Sequence, residues 1–306
     1  MQHEHIAQIH QVSKKFDENL ALDQVSLDIR SGEVLGILGP NGAGKTTLIN
    51  LMLGRMALTT GEVSIFGLKP GSIELKRQCG AMLQLSGLPD MSTVKEHIEL
   101  FMSYYANPFA YQKIIDLAGL AGIEDQYSKT LSGGQKQRLL FALAICGNPK
   151  LLFLDEPSVG MDIETRKSLW HTINELKANG TSVILTTHYL EEADQLSDRI
   201  IMLNQGKIIH QGTPDEIKAN INTKKIRFIS STPLAELMSI GDKLKITSSG
   251  KYYEIQSKDS SKILRKLFQV SDDIQDLTVT GAALEDAFIQ LNQANPMKTN
   301  AAGEEL

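Results

Sequence analysis

A chain of 306 residues that is 42% hydrophobic and 22% charged, with a net charge of −5, has the balance of a globular protein of about two domains. The negative charge speaks against general affinity for nucleic acid. Cys79 and Cys146 lack metal-ligand spacing and read as reduced thiols of a cytosolic protein. No stretch reaches the ~18 apolar residues a membrane helix needs. The longest candidate, Leu139–Leu154, is broken by Gly147-Asn148-Pro149-Lys150. The start has no basic stretch leading into an apolar run, so no signal peptide is expected, and any membrane role is expected to pass through a separate chain.

In chain order, residues 1–35 alternate apolar and polar positions (Ile6, Ile9, Val12; Val25, Leu27, Ile29), the pattern of half-buried strands. Glu33–Leu38 reads as a buried strand running into a glycine-rich loop. A helix over Thr46–Leu53 follows, with Gly54 as its C-cap. Residues 92–146 read as mostly helical, with Ser92 the N-cap and Glu96 near the first turn. Leu151–Leu154 and Ser182–Thr186 are apolar runs typical of central parallel strands. Strands alternating with helices predict an α/β sheet covered on both faces. Beyond residue 221 the strand candidates are Ile226–Ile229, Leu244–Thr247 and Tyr252–Ile255. A turn is expected at Ser248–Lys251, and helices over Lys262–Phe268 and Ala283–Leu291. This is a small α+β appendage, and the polar tail from Asn295 is expected to be disordered.

Three segments carry chemistry. Gly39-Pro40-Asn41-Gly42-Ala43-Gly44-Lys45-Thr46, continuing into Thr47, places a glycine-rich turn between a strand and a helix. This is the pattern of a P-loop. Glycines let the backbone curl so that its N–H groups face phosphate oxygens, and the helix adds its positive end. Lys45 is expected to reach the β- and γ-phosphates and the Thr46 hydroxyl to ligate Mg²⁺. Leu151–Leu154 then delivers Asp155 to the C-terminal edge of the sheet as a Mg²⁺ ligand. Glu156 points the other way along the strand and is placed to orient or deprotonate the attacking water. In Leu131-Ser132-Gly133-Gly134-Gln135, Ser132 is an N-cap, and the paired glycines let backbone amides approach an anion. The histidines, including His3, His5 and His10, show no metal constellation.

Together with the P-loop, the Ser132–Gln135 segment resembles the signature of ATP-binding cassette (ABC) ATPases, over roughly residues 4–220. Other pieces follow in that family's order. The resemblance implies that Phe16 stacks on adenine and that Gln84 contacts Mg²⁺ or water and senses the transporter. It also implies that Ser158-Val159-Gly160-Met161-Asp162 crosses a dimer interface, and that His188 contacts the γ-phosphate. Met161 and Val159 depart conservatively from the family's usual choices. The implied architecture is a P-loop NTPase domain over 1–220. It would contain an N-terminal antiparallel β subdomain and a helical subdomain at about 88–148. An accessory domain over 221–294 and a tail over 295–306 would follow. Two cassettes would pair head to tail as a homodimer. ATP would then lie between one chain's P-loop and the other's Ser132, Gly133, Gly134 and Gln135.

The run Thr186-Thr187-His188-Tyr189-Leu190-Glu191-Glu192-Ala193, the appendage, and Ala283–Leu291 resemble the ATPase subunits of bacterial multidrug, antibiotic and polysaccharide exporters. The resemblance implies an ATP-hydrolysing subunit on the cytoplasmic face of the membrane, docked on a separate permease through the groove beside Gln84 and residues 86–105. An importer ATPase, or a soluble ABC ATPase of translation or DNA maintenance, is the alternative. The chain has neither the doubled cassette nor the inserted coiled coil of the latter.

Overall fold

Alternating burial along the first thirty residues produces two long strands, β1 (His5–Phe16) and β2 (Asn19–Arg30), joined by a two-residue turn. The computed structural model describes residues 5–83, 88–219, 224–241, 246–281 and 283–288. The chain divides into two compact units between Pro214 and Asp215.

In the first unit, β3 (Val34–Leu38) leads through the glycine loop into α1 (Lys45–Met52). Next, β4 (Thr60–Ile65) pairs antiparallel with β1, giving a three-stranded sheet in the order β2-β1-β4. A short helix α2 (Ile73–Lys76) precedes β5 (Cys79–Met82). Then come α3 (Val94–Met102), α4 (Tyr111–Ala118) and α5 (Gly133–Ile145). They are followed by β6 (Leu151–Asp155), α6 (Ile163–Ala178), β7 (Ser182–Thr186) and α7 (Leu190–Leu196), and by the hairpin β8 (Arg199–Asn204) and β9 (Lys207–Gly212). The central sheet has the order β5-β6-β7-β3-β8-β9, parallel except for β9.

The period-2 pleat of this sheet divides the core in two. Leu152, Leu154, Val183 and Leu185 face one cluster with Ile98, Ile114, Phe141 and Ile173 of the helices. Leu151, Phe153, Ile184 and Ile37 face the other, with Leu48 of α1 and Val12 and Ile29 of the antiparallel sheet. Buried on both faces, β3, β6 and β7 are entirely apolar or small up to their last residue, as parallel strands require.

α8 (Pro214–Ala219) starts at the division between the units. The second unit holds β10 (Lys224–Ile229), α9 (Leu234–Leu237), β11 (Ile246–Ser249), β12 (Tyr252–Ser257), α10 (Ser260–Val270) and β13 (Gln275–Thr280). Its antiparallel sheet, β11-β12-β10-β13, buries Ile226, Phe228 and Ile255 against Leu237, Ile263 and Leu267. Residues 284–288 are helical.

Several local expectations are corrected. Thr93, not Ser92, caps α3, because the Thr93 hydroxyl and the Glu96 carboxylate bond each other's backbone amides in a capping box. Residues 92–146 are mostly helical, as expected, in α3, α4, a short 3-10 turn at Ser128–Thr130 and α5. Leu53, one residue before Gly54, is the C-cap of α1; Gly54 follows at φ 69. Leu244, residues 289–291 and the tail from Asn295 lie outside the described residues.

β5 lies directly on α5. A Cβ at Gly80 would stand 1.9 Å from the Ala144 carbonyl oxygen, so backbone meets backbone there. Gly80→Ala is therefore expected to destabilise the first unit by about 1–3 kcal/mol through overpacking. A denaturant midpoint that falls at unchanged slope checks it.

Candidate functional site

The glycine loop is shaped by its neighbours. A Cβ at Gly39 would fall 2.2 Å from the Leu203 carbonyl oxygen of β8. Gly44 caps α1 at φ 106, a region closed to side-chain-bearing residues, with Ala21 O 2.6 Å from its would-be Cβ. The loop is thus pressed against β2 and β8, with its amides at a helix N-terminus. Lys45 is buried and donates from Nζ to Gly39 O (2.7 Å) and Pro40 O (3.1 Å). Burial holds its pKa below the ordinary lysine value, partly offset by the Glu156 and Asp155 carboxylates.

Asp155, the buried last residue of β6, accepts from Thr46 Oγ1 at 3.2 Å and from Thr186 Oγ1, a shorter bond. The chain then turns sharply. Glu156 adopts φ 53, and its N–H donates to Thr186 O (3.0 Å) and Thr186 Oγ1 (3.2 Å). Strand alternation alone would send Glu156 to the opposite face. The left-handed turn instead brings it to the rim of the cavity, where Oε2 lies 3.1 Å from His188 Nδ1. A carboxylate only accepts, so Nδ1 carries the hydrogen and Nε2 remains for another partner.

Lys45, Thr46, Thr47, Glu156, Asn41, Gly42, Ala43 and Gly44 line one cavity of about 760 Å³ with Phe16 at the end of β1. Phe16 is 42% exposed, with Lys14 Nζ 4.8 Å from its ring centroid. Asn19, Asp23, Gln205 and Lys207 also line it. Sequence reasoning passed over these four, although Asn204-Gln205-Gly206-Lys207 is a legible hairpin turn with positive φ at both central residues. Thr186 was likewise missed. Its position at the end of a buried strand, two residues before His188, was the available signal.

Ser132, Gly133, Gly134, Gln135 and Asp162 do not line this cavity. Ser132 and Gln135 form a capping box at the start of α5. A Cβ at Gly133 would meet nothing within 4 Å, and one at Gly134 only Gly160 O, at 3.9 Å. The two segments therefore sit side by side. Asp162 caps α6, accepting from Thr165 N (2.8 Å) and Thr165 Oγ1 (3.0 Å), bonds that hold its carboxyl below the usual range. Gln84 lies outside the described residues.

The ABC transporter family pattern matches residues 22–159. Nod factor export ATP-binding protein I of a Rhizobium species is 33% identical over 237 residues, 75% of this chain and 78% of that protein. The chain belongs to the ABC transporter family. ABC transporter A family member 7 of Dictyostelium discoideum is 36% identical over 295 residues, 89% of this chain but only 35% of that much longer protein. Among solved structures, a dimeric post-hydrolysis ATP-binding cassette bound to ADP and Pi matches with TM-score 0.62 at 25% identity, covering 68% of this chain and 98% of that one. The matched part of this ABC protein has the P-loop fold of an ATPase cassette. No helix among its described residues is long and apolar enough to cross a membrane.

The Thr186 hydroxyl is fully buried and serves both Asp155 and Glu156 N. Thr186→Val would leave a buried carboxylate short of a donor. A stability loss of about 1–3 kcal/mol is expected, read from equilibrium unfolding of the purified chain.

Proposed function

We propose that this chain is the ATP-hydrolysing subunit of an exporter. It would act on the cytoplasmic face of the membrane by driving a separate permease through ATP-dependent closure of a homodimer. The observation that carries this reading is the division of the glycine segments. One lines the cavity with Lys45 and Glu156, while the other ends a helix elsewhere with open glycines and a satisfied cap. Glycines that no close contact among the described residues requires make sense if a ligand held by a second chain approaches them. Export is favoured by the name of the Nod factor relative.

Within the site, the ring of Phe16 offers adenine a stacking face, and the loop amides of Gly42, Gly44 and Lys45 face the phosphates. The Lys45 ammonium neutralises phosphate charge. The oxygens of Thr46 and Asp155, 3.2 Å apart, are hard donors that fit Mg²⁺. They would hold the ion, and it would supply charge to the phosphates when bound. The Glu156 carboxylate accepts the proton of the attacking water, and His188, bonded to Glu156 through Nδ1–H, would donate to the γ-phosphate from Nε2–H as the imidazolium. When the partner's copy of Ser132–Gln135 adds its amides, ATP binds the closed state better than the open one, and that difference drives closure.

Glu156→Gln keeps the side-chain shape but removes the base. Turnover is expected to fall at least about 100-fold with nucleotide binding retained, measured by phosphate release and fluorescent-nucleotide titration. Normal turnover would remove Glu156 from its role.

Ser132→Arg fills the surface at the head of α5. It is expected to leave ATP binding to the monomer intact and to abolish ATP-driven dimerisation, read by light scattering in the Glu156→Gln background. Undiminished dimerisation would overturn the two-chain site.

A further inference from the structure

His188 is 49% exposed, yet its imidazole is fixed on two sides. Nδ1 bonds Glu156, and the ring lies against Tyr189, with centroids 4.3 Å apart and planes 37° from parallel. The Arg166 guanidinium in turn lies over the Tyr189 ring, its Cζ 4.8 Å from the centroid. The turn carrying these rings is pinned by the buried Thr187, whose Oγ1 accepts the Tyr189 N–H at 2.9 Å. Arg166 belongs to the first turns of α6, and its backbone N–H bonds the carbonyl of the N-cap Asp162. Further along, Trp170 Nε1 donates to the fully buried Glu192 of α7 at 2.9 Å, so α6 and the helix after His188 are tied at a second point.

We propose that Tyr189 and Arg166 are positioning residues that hold His188 against Glu156 and make its placement depend on the start of α6. A half-exposed side chain otherwise changes rotamer on the picosecond–nanosecond scale. A tilted contact with an aromatic ring that is itself held by a guanidinium restricts that freedom. The row Arg166–Tyr189–His188–Glu156 runs from the N-terminus of α6, directly after residues 158–162, to the carboxylate at the cavity. Movement of that segment reaches the Glu156–His188 pair through it. The inference rests on the reading of Glu156 and His188 as the hydrolytic pair. Neither Tyr189 nor Arg166 lines the cavity, so their influence falls on turnover rather than on nucleotide capture.

The test is steady-state ATPase kinetics of the full chain with Tyr189→Phe, Tyr189→Leu, Arg166→Gln and His188→Ala, and with the first three combined with His188→Ala. Tyr189→Phe keeps the ring and should stay within about twofold of the parent kcat. Tyr189→Leu should lower kcat about tenfold, and Arg166→Gln about threefold, with KM for ATP changed less than about twofold. In the His188→Ala background, Tyr189→Leu and Arg166→Gln should produce no further fall, because the group they position is gone. Parent kcat in Tyr189→Leu, beside a strong loss in His188→Ala, would overturn the proposal. So would equal falls with and without His188, which mark a merely structural role. Should Tyr189→Leu not fold, Arg166→Gln on the outer side of the row reads the same coupling. Full turnover in His188→Ala would instead overturn the hydrolytic pair, and this inference with it.

Discussion

Asp155 is the point to which the site is tied. A buried carboxylate is tolerable only where donors replace its water. Here two threonine hydroxyls do so, Thr46 from the first turn of α1 and Thr186 from the end of β7. Two elements distant in sequence, α1 and β7, are thereby held to one side chain of β6. The parallel register does the rest. Asp155 pairs across β6–β7 with Thr186 itself, and β3 lies on the other side of β7. The glycine loop, the acidic strand end and the His188 turn all leave the same edge of one sheet. Glu156 uses the geometry differently. Its φ of 53 takes the chain out of the strand in one residue, so two adjacent carboxylates face related parts of one site instead of opposite faces of the sheet.

The strands that frame the site were legible because they are buried on both sides. Val34–Leu38, Leu151–Leu154 and Ser182–Thr186 need apolar residues at successive positions, and no amphipathic helix has that pattern. The glycine loop was legible because its backbone geometry excludes side chains at fixed spacing. What was missed was missed for equally physical reasons. β5 is only Cys79-Gly80-Ala81-Met82, too short to show a period, and its glycine is there for α5. β13, Gln275–Thr280, is a mostly exposed strand with little apolar patterning. The turn of Glu156 could not be read from alternation, since alternation assumes the strand continues. Thr186 looked like one more small residue in an apolar run, because a hydroxyl's partner 31 positions away leaves no local trace.

The two helix starts of the cassette differ in a way that bears on the two-chain reading. At α1 the glycines are dictated from within: Gly39 and Gly44 each have a backbone carbonyl of the same chain where a Cβ would stand. At α5 nothing among the described residues dictates them, since Gly133 faces open space and Gly134 makes only an ordinary contact. Alanine would suit the helix better. Two residues that lower helix propensity without relieving any close internal contact are accounted for on the proposed reading, in which a second chain's ligand approaches them. Gly160 lies beside Gly134, its carbonyl oxygen 3.9 Å from where a Cβ would stand.

That asymmetry also indicates where the free energy for closure would arise. Lys45 gives two of its three donors to Gly39 O and Pro40 O, carbonyls of its own loop, and the loop glycines are held by β2 and β8. On the proposed reading, phosphate capture would rearrange one lysine side chain and leave the backbone cradle as it stands. It costs little ordering, and by itself it distinguishes poorly between an open and a closed pair of chains. Discrimination has to come from contacts made only on closure. The amides at the head of α5 are suited to that purpose because Ser132 and Gln135 satisfy the backbone N–H groups of residues 132 and 135, leaving those of Gly133 and Gly134 directed outward at the helix terminus. On the proposed two-chain reading, a rigid cradle in one chain and a pre-capped helix end in the other would place most of the differential binding at the junction between them.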